Sequence, residues 1–501
     1  MKMPCSMMMT GMACLALSAS CLYAQSVPAS PSSSLSPYLD TRQGWDAYLL
    51  PESHVSPSLR KAMRPEQQQM SRMRGVPTPE AVRLQDRGHD DKQGCLIFFP
   101  SSPPKMMPYL DGTYIFGNTC IEPGALIEED LLSTGMQKVK HAASRIGLQY
   151  SLKHGYNYTG IAGDVLPDTQ RSFSAYNTIL LANWFLVKTR DGNSGLFLAI
   201  EGDWGAGMDY NQRTASASNS LGSLQNPQGA SRSGGPFLAN VSLGLSLFEG
   251  KWVVMAGQID TSNYVDQNAY SNTGFNNLIN QGFNNNPALP LPWANWGYQT
   301  SIQPCKSFYF MYAGSGNNTP LNHNPFHYIN ANAWTHLGEL GFISKDVLGC
   351  GPGTIRFQYV LTTAGSETGS GGALNFQQQL GKKSTVGWFG RLGLMDEDAA
   401  AFNGVKGAVT TGIVFQAPFC KKGLFSYANN DQIALGLMWL KPARTEKPYN
   451  HKNEYGIELS YVMQVTPTMT IQPDVQLVKN PIHGEGKDTA VVFQIQNVWT
   501  W

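Results

Sequence analysis

Charge is the scarcest property of this 501-residue chain: Asp, Glu, Lys and Arg together make up 14%, against about 25% in an ordinary soluble protein. The balance is nearly even, 36 Lys and Arg against 35 Asp and Glu. That removes any general electrostatic reason to expect nucleic acid or an acidic partner. Long oily runs are missing too. Beyond the first couple of dozen positions no stretch approaches the roughly 18 consecutive apolar residues of a spanning helix, which excludes a helical membrane protein. Cysteine offers no metal framework. Behind the N-terminal stretch stand Cys95, Cys120, Cys305, Cys350 and Cys420, and their spacing fits no zinc pattern. In an oxidising compartment one or two disulfides could form, Cys95–Cys120 among them, with at least one thiol left over. Neither a Gly-rich phosphate loop nor a nucleophile elbow is present. Glu454 and Glu458 share a strand face roughly 13 Å apart by the usual rise, too far for glycosidase chemistry. His323 and His327 have a helical spacing that Pro325 breaks. No cofactor, metal or enzyme activity is therefore expected.

What is there is glycine, amides, hydroxyls and rings: 51 Gly, 22 Phe, 21 Tyr and 11 Trp, with 42% of residues hydrophobic. The mean hydropathy is nonetheless −0.25. So many rings can bury a large core, which argues against disorder. The composition suits a large, sparsely charged β-protein.

Met1-Lys2, an apolar stretch from Met7 to about Leu22 and small Ala24 before Gln25 read as an export signal over 1–24. Leu17-Ser18-Ala19-Ser20-Cys21 is an alternative, lipoprotein-type cleavage site. From 25 to 144 the chain is polar, Pro-rich and charge-clustered. It reads as a partly disordered or helical periplasmic or luminal segment, with Lys138–Arg145 as a short basic helix. From 145 to 501 the texture changes to segments of about ten residues that alternate apolar and polar side chains, the period of a strand with one oily and one wet face. In Val491–Trp501 one face carries Val491, Phe493, Ile495, Trp499 and Trp501, interrupted by Asn497. Its other face carries Val492, Gln494, Gln496, Val498 and Thr500. Ile471–Leu477, Tyr455–Met463, Ile433–Trp439 and Ile355–Tyr359 repeat the pattern.

Such strands close in one of two ways. A soluble sandwich turns its apolar faces inward; an outer-membrane barrel turns them to lipid and lines its lumen with the polar set. The export signal, the aromatics Trp439, Tyr461, Trp499 and Trp501 toward strand ends and the final aromatic after an alternating strand favour the barrel. About 355 residues at roughly 22 per strand and turn give about 16 strands, a size that leaves an aqueous channel. The expected fold is thus an all-β, antiparallel transmembrane barrel behind a polar N-terminal segment, in a Gram-negative type of outer membrane.

Glu454-Tyr455-Gly456-Ile457-Glu458-Leu459-Ser460-Tyr461, then Val465-Thr466-Pro467, then Ile471-Gln472-Pro473-Asp474-Val475-Gln476-Leu477-Val478-Lys479-Asn480-Pro481 resembles the C-terminal signature of the carbohydrate-selective porin (OprB) family. Gly257-Gln258-Ile259-Asp260, Tyr264, Asp266-Gln267-Asn268 and Phe275, followed by Asn280 and Pro287, is similar to a central stretch of that family, with Gln258 in place of a usual Lys. The family's L-T-G-D-W-G-G motif is degenerate here at Leu132–Met136, and Gly202-Asp203-Trp204-Gly205 stands inside the barrel zone. The resemblance implies passive diffusion of sugars and other small hydrophilic solutes, and a homotrimer. Outer-membrane lipid is the further expected partner, as is the barrel-assembly machinery, through the strand ending at Trp501. Two alternatives stand beside it, a general diffusion porin without sugar preference and a secreted all-β carbohydrate-binding protein.

Neutral sugars need polar forks and aromatic rails. Face assignment supplies Arg356, Gln358, Arg391, Glu458, Gln472, Asp474 and Gln476 as pore-lining candidates, since guanidinium donates in a fork and carboxylates or amides accept. Asn263–Trp296 is too rich in Asn to face lipid. It reads as a surface loop or as one folded inward to narrow the pore, with Asp260, Asp266 and Asn268 as constriction candidates. Thr214–Ser233 and Thr363–Gly372 read as mobile loops.

Overall fold

A computed structural model describes residues 148–500 apart from 167–168, 189–193, 208–216, 229–233, 249, 273, 276, 306, 320–324, 330–331, 345–346, 348–350, 365–366, 381–385, 417–430, 445–451, 467 and 482–487, together with Val139, Ala143 and Ile146. The export signal, almost all of the polar 25–144 segment, Cys95, Cys120, Cys350, Cys420, His323 and Trp501 lie outside the described residues.

The alternating segments are strands: β1 Leu148–Gly163, β2 Ser172–Lys188, β3 Gly195–Gly207, β4 Gly234–Leu247, β5 Trp252–Ile259, β6 Asn295–Cys305, β7 Phe308–Gly316, β8 Trp334–Ser344, β9 Gly353–Ala364, β10 Glu367–Gln379, β11 Val386–Met395, β12 Val405–Gln416, β13 Gln432–Pro442, β14 Glu454–Thr466, β15 Met469–Lys479 and β16 Thr489–Thr500. Each pairs antiparallel with its neighbours in sequence. β16 returns to β1, with Lys153 opposite Thr500 and Gly163 opposite Ala490, so the sheet closes without an edge. Closure satisfies every strand from a neighbour, which is what a strand protein inside hydrocarbon requires. No helix among the described residues is long and apolar enough to cross a membrane.

The two faces separate as the alternation predicts. On β14, Tyr455, Ile457 and Leu459 are exposed outside, while Glu454, Glu458 and Ser460 are buried inside. Leu435, Leu437, Phe493 and Ile495 continue the apolar exterior, and Gln472, Asp474, Gln494 and Gln496 the polar interior. The turns differ at the two ends. One end joins strands tightly at Cys305–Phe308 and Thr466–Met469; the other carries most of the long connections, among them 208–233, 260–294 and 317–333.

Thr363–Gly372 departs from the expected mobile loop. β9 runs on to Ala364 and β10 starts at Glu367, so most of the Gly/Ser stretch is strand. The glycines serve close packing rather than flexibility. A short helix, α3 (Glu397–Ala400), lies against them, and a Cβ on Gly369 would come within 1.9 Å of Ala399 N. Thr214–Ser233 also differs where it is described. Ala217–Leu221 forms helix α1, and Ala217, Leu221 and Gln228 are buried.

Candidate functional site

Two connections from the long-loop end fold into the barrel. The first is 217–228, between β3 and β4; the second is 260–294, between β5 and β6. Asp260 starts the second by capping a short turn at Thr261–Asn263, its Oδ1 accepting from Ser262 N at 2.9 Å. Helix α2 (Gln281–Asn284) is capped by Asn280 in the same way. Such caps satisfy amide donors that a chain crossing the lumen would otherwise leave unpaired.

Asp266 is the centre of the first anchor. It holds φ at 63°, a conformation uncommon for a residue with a side chain. Contacts on every side fix it. Its amide donates to Glu339 Oε2 at 3.0 Å, and its Oδ1 accepts from Asn375 Nδ2 at 2.7 Å and Gln358 Nε2 at 3.1 Å. Its Oδ2 accepts from Asn286 N at 2.6 Å and faces Arg391 Nε at 2.9 Å. Arg391 spends its remaining donors on loop carbonyls: Nη1 on Phe283 at 2.6 Å, Nη2 on Ser271 at 2.6 Å, Asn284 at 3.1 Å and Asp266 at 3.2 Å. Beside it Arg356 Nε donates to Tyr309 Oη at 3.0 Å, and Tyr309 donates in turn to Glu339 Oε1 at 2.7 Å. Asn268 Nδ2 joins Asn375 Oδ1 at 2.8 Å.

The second anchor is on β14–β16, across the barrel from β6 in the closed ring. Glu458 accepts from the amides of Ile279 and Asn280, the latter at 3.1 Å. Asn280 Nδ2 donates to Gln476 Oε1 at 3.0 Å, and Gln472 Nε2 to Asn277 O at 3.3 Å. Gln476 and Gln494 both donate to Pro227 O, at 2.9 and 2.6 Å, and each also reaches Asp474 Oδ1. Glu454 holds the 217–228 connection through Ser223 Oγ at 2.6 Å and Leu224 N at 3.0 Å. The loop therefore spans the lumen from its own wall to the opposite one.

Apolar packing fills the space between. Val265, Tyr270, Leu278 and Phe283 of the loop meet Val253, Met255, Tyr309, Met311 and Phe389 of the wall in one buried cluster. Wall glycines make room for the rings: a Cβ on Gly387 would sit 2.1 Å from Tyr270, and one on Gly436 2.7 Å from Phe283. At the loop's start, burial, helped by the carboxylates of Glu201 and Asp260, pushes the Tyr264 phenol up, so it remains protonated as it accepts from Asn240 Nδ2 at 3.0 Å.

All seven pore-lining candidates lie on the inner wall. The structure joins Gln358 and Arg391 at the first anchor, with Arg356 beside them. It joins Glu458, Gln472, Asp474 and Gln476 at the second. The constriction candidates Asp260, Asp266 and Asn268 all lie in the inward loop. Sequence reasoning missed Glu339, Asn375, Tyr309 and Glu454 as loop anchors. On β7 the inner face carries Tyr309, Met311 and Ala313, so both faces are apolar and the period-two signal fades.

The family model "Carbohydrate-selective porin, OprB family" matches residues 365–500. The resemblance read from Glu454–Pro481 falls inside that span and the one read from Gly257–Pro287 outside it. The chain is similar to Pseudomonas putida OprB in its high pH structure, with 16% identity, a TM-score of 0.59, and coverage of 74% of this chain and 97% of that one. The low pH structure of the same protein gives 14%, 0.47, 75% and 99%. A triple mutant of Rhodopseudomonas blastica porin gives 8%, 0.44, 71% and 100%. At these identities the likeness is one of fold. No curated protein matches.

Proposed function

We propose that this chain is an outer-membrane porin that lets small hydrophilic solutes diffuse passively, with sugars as the preferred class. The observation that carries this reading is the closed cylinder with an apolar exterior, a polar inner wall and a loop anchored across its lumen. An exterior of Leu435, Leu437, Ile457, Leu459 and Phe493 suits acyl chains. In the usual arrangement of such barrels long loops face outward and short turns the periplasm, so the 260–294 loop enters from outside the cell. The sugar preference rests on the family match over 365–500.

In this reading Arg356, Gln358, Arg391, Glu458, Gln472, Asp474 and Gln476 shape the passage by fixing the loop that narrows it, rather than by each touching solute. Asp260 holds the loop's own form at its start, while Asp266 and Asn268 tie the loop to the wall. The export signal brings the chain to the periplasm, and the assembly machinery takes it up through β16. A homotrimer is part of the proposal. The outer wall of β16, β1 and β2 supports it, carrying Asn497, His154, Tyr156 and Tyr176 where the outer faces of β13–β15 are mainly apolar, with rings at Trp439, Tyr455 and Tyr461. His154 Nδ1 lies 2.7 Å from Thr178 Oγ1.

Swelling of liposomes holding the purified protein tests the function. Glucose is expected to enter faster than a disaccharide or a charged solute of similar size. Equal rates for all would favour a general diffusion porin, and no swelling with any would remove the channel. Extraction in buffer alone, without a mobility shift on boiling, would point to the secreted binding protein instead.

A further inference from the structure

The inner wall of β1 and β2 holds polar side chains to which neither inward connection gives a hydrogen bond among the described residues. Lys153 is 1% exposed, and its Nζ has no hydrogen-bond partner among the described residues. The Phe275 ring of the inward loop lies 5.9 Å from that nitrogen and packs with Val498 and Ile179 into a small apolar wall. Strand pairing sets Lys153 opposite Ile179 and Gly155 opposite Asn177. Asn177 therefore occupies the next inward row, opposite a residue with no side chain. Asn177 Oδ1 is buried and without a hydrogen-bond partner among the described residues, as is Asn183 Nδ2 further along the same face.

An ammonium removed from water and given no acceptor is unfavourable unless an anion pairs with it. The carboxylates on this side are on β3, where Asp203 pairs with Ile179 and Glu201 with Leu181. β2 stands between, placing them two strand spacings from β1, roughly 10 Å. Glu201 also accepts from Asn263. The sector is thus polarised, with its donor on β1 and its acid side on β3.

We propose that Lys153, Asn177 and Phe275 form a binding site for hydroxylated carboxylates, the class of sugar acids, within the channel proposed above. The ligand's carboxylate accepts from Lys153 Nζ, a hydroxyl next to it donates to Asn177 Oδ1, and its carbon face rests on Phe275 and Val498. The amide acceptor selects hydroxyl-bearing acids over plain aliphatic ones, because an acid without hydroxyls leaves Asn177 unpaired. The Phe275 ring gives the preference for a carbon chain over an inorganic ion.

The test uses the full-length protein in detergent, with gluconate, butyrate, glucose and chloride as probes in titration calorimetry. Gluconate is expected to bind more tightly than butyrate or chloride. Lys153→Met is expected to weaken gluconate about tenfold or more, the loss of one charge-assisted hydrogen bond, and Lys153→Arg to retain it. Asn177→Ala is expected to remove the advantage of gluconate over butyrate. Butyrate or chloride binding as tightly as gluconate would overturn the proposal, as would gluconate binding indifferent to Lys153→Met. Should Lys153→Met fail to assemble, Asn177→Ala decides: gluconate binding unchanged there would also sink it. Liposome swelling separates the two readings. Vesicles that admit no solute end the porin function, whereas swelling without gluconate binding ends only the site.

Discussion

Two sectors of one inner wall use the same kinds of side chain for opposite ends. Along β8–β11 and β14–β15, Glu339, Arg391, Glu458 and Gln472 put their bonding capacity into a loop that crosses the lumen. Along β1–β2, Lys153, Asn177 and Asn183 face the same lumen with atoms that make no hydrogen bond among the described residues. A polar residue on the wet face of a barrel strand thus either bonds a connection from elsewhere in the chain or keeps its bonding capacity unused among the described residues. What decides is whether a connection from elsewhere in the chain arrives above it.

The sharpest way to break this contrast is Arg391→Ala. It leaves Asp266 buried without its cation and releases the Phe283, Ser271 and Asn284 carbonyls at once. Removing one partner of such a buried pair costs about 3–5 kcal/mol. The loop is expected to come away from the wall, seen as larger single-channel conductance and new protease cleavage within 260–294. Unchanged conductance and protection would mean the loop is held without Arg391. A smaller effect is expected from Leu459→Arg, one residue along from loop-holding Glu458 but on the outer face. A cation near the bilayer midplane costs about 2–4 kcal/mol, measurable as reduced unfolding free energy from lipid vesicles. No loss there would argue against lipid contact on that face.

The smallest effect concerns the packing of α3 against β10. Burial raises the Asp396 carboxyl, but amide donors at Ala399 (2.8 Å) and Ser370 (2.6 Å) outweigh it and hold the group below the usual carboxylate range. Glu397 is held low by Lys406 and by the Arg444 amide at 2.9 Å. With folded values depressed, their stabilisation is present above the ordinary carboxylate pKa of about 4 and lost as pH falls through the folded values. Solvent screening keeps it small. Melting temperatures of wild type and Asp396→Asn are expected to differ at pH 6, with the difference narrowing as the pH falls below the ordinary carboxylate range. A constant difference would remove the ionic contribution.

Much of the fold was legible because lipid imposes a strict rule on one face only. Tyr455, Ile457 and Leu459 against Glu454, Glu458 and Ser460 gave strand, face and exterior together. Where the inner face packs on the loop the rule lapses. Met255 and Tyr309 read as oily on both sides, and Glu339 did not stand out among Leu337 and Leu340. Thr363–Gly372 misled for a related reason. Glycine read from composition suggests mobility, but Gly369 and Gly371 are small because Asp396, Ala399 and Met395 press on them.

Composition and alternation by themselves therefore determined a strand protein with a greasy outside and a wet inside, since the period of two is a property of each strand alone. Which wet residues hold the loop and which stay free was decided by tertiary structure. Asp266 meets Arg391 and Ile279 meets Glu458 only after closure of the ring brings segments more than a hundred residues apart to the same wall, and no local spacing in the chain encodes that meeting.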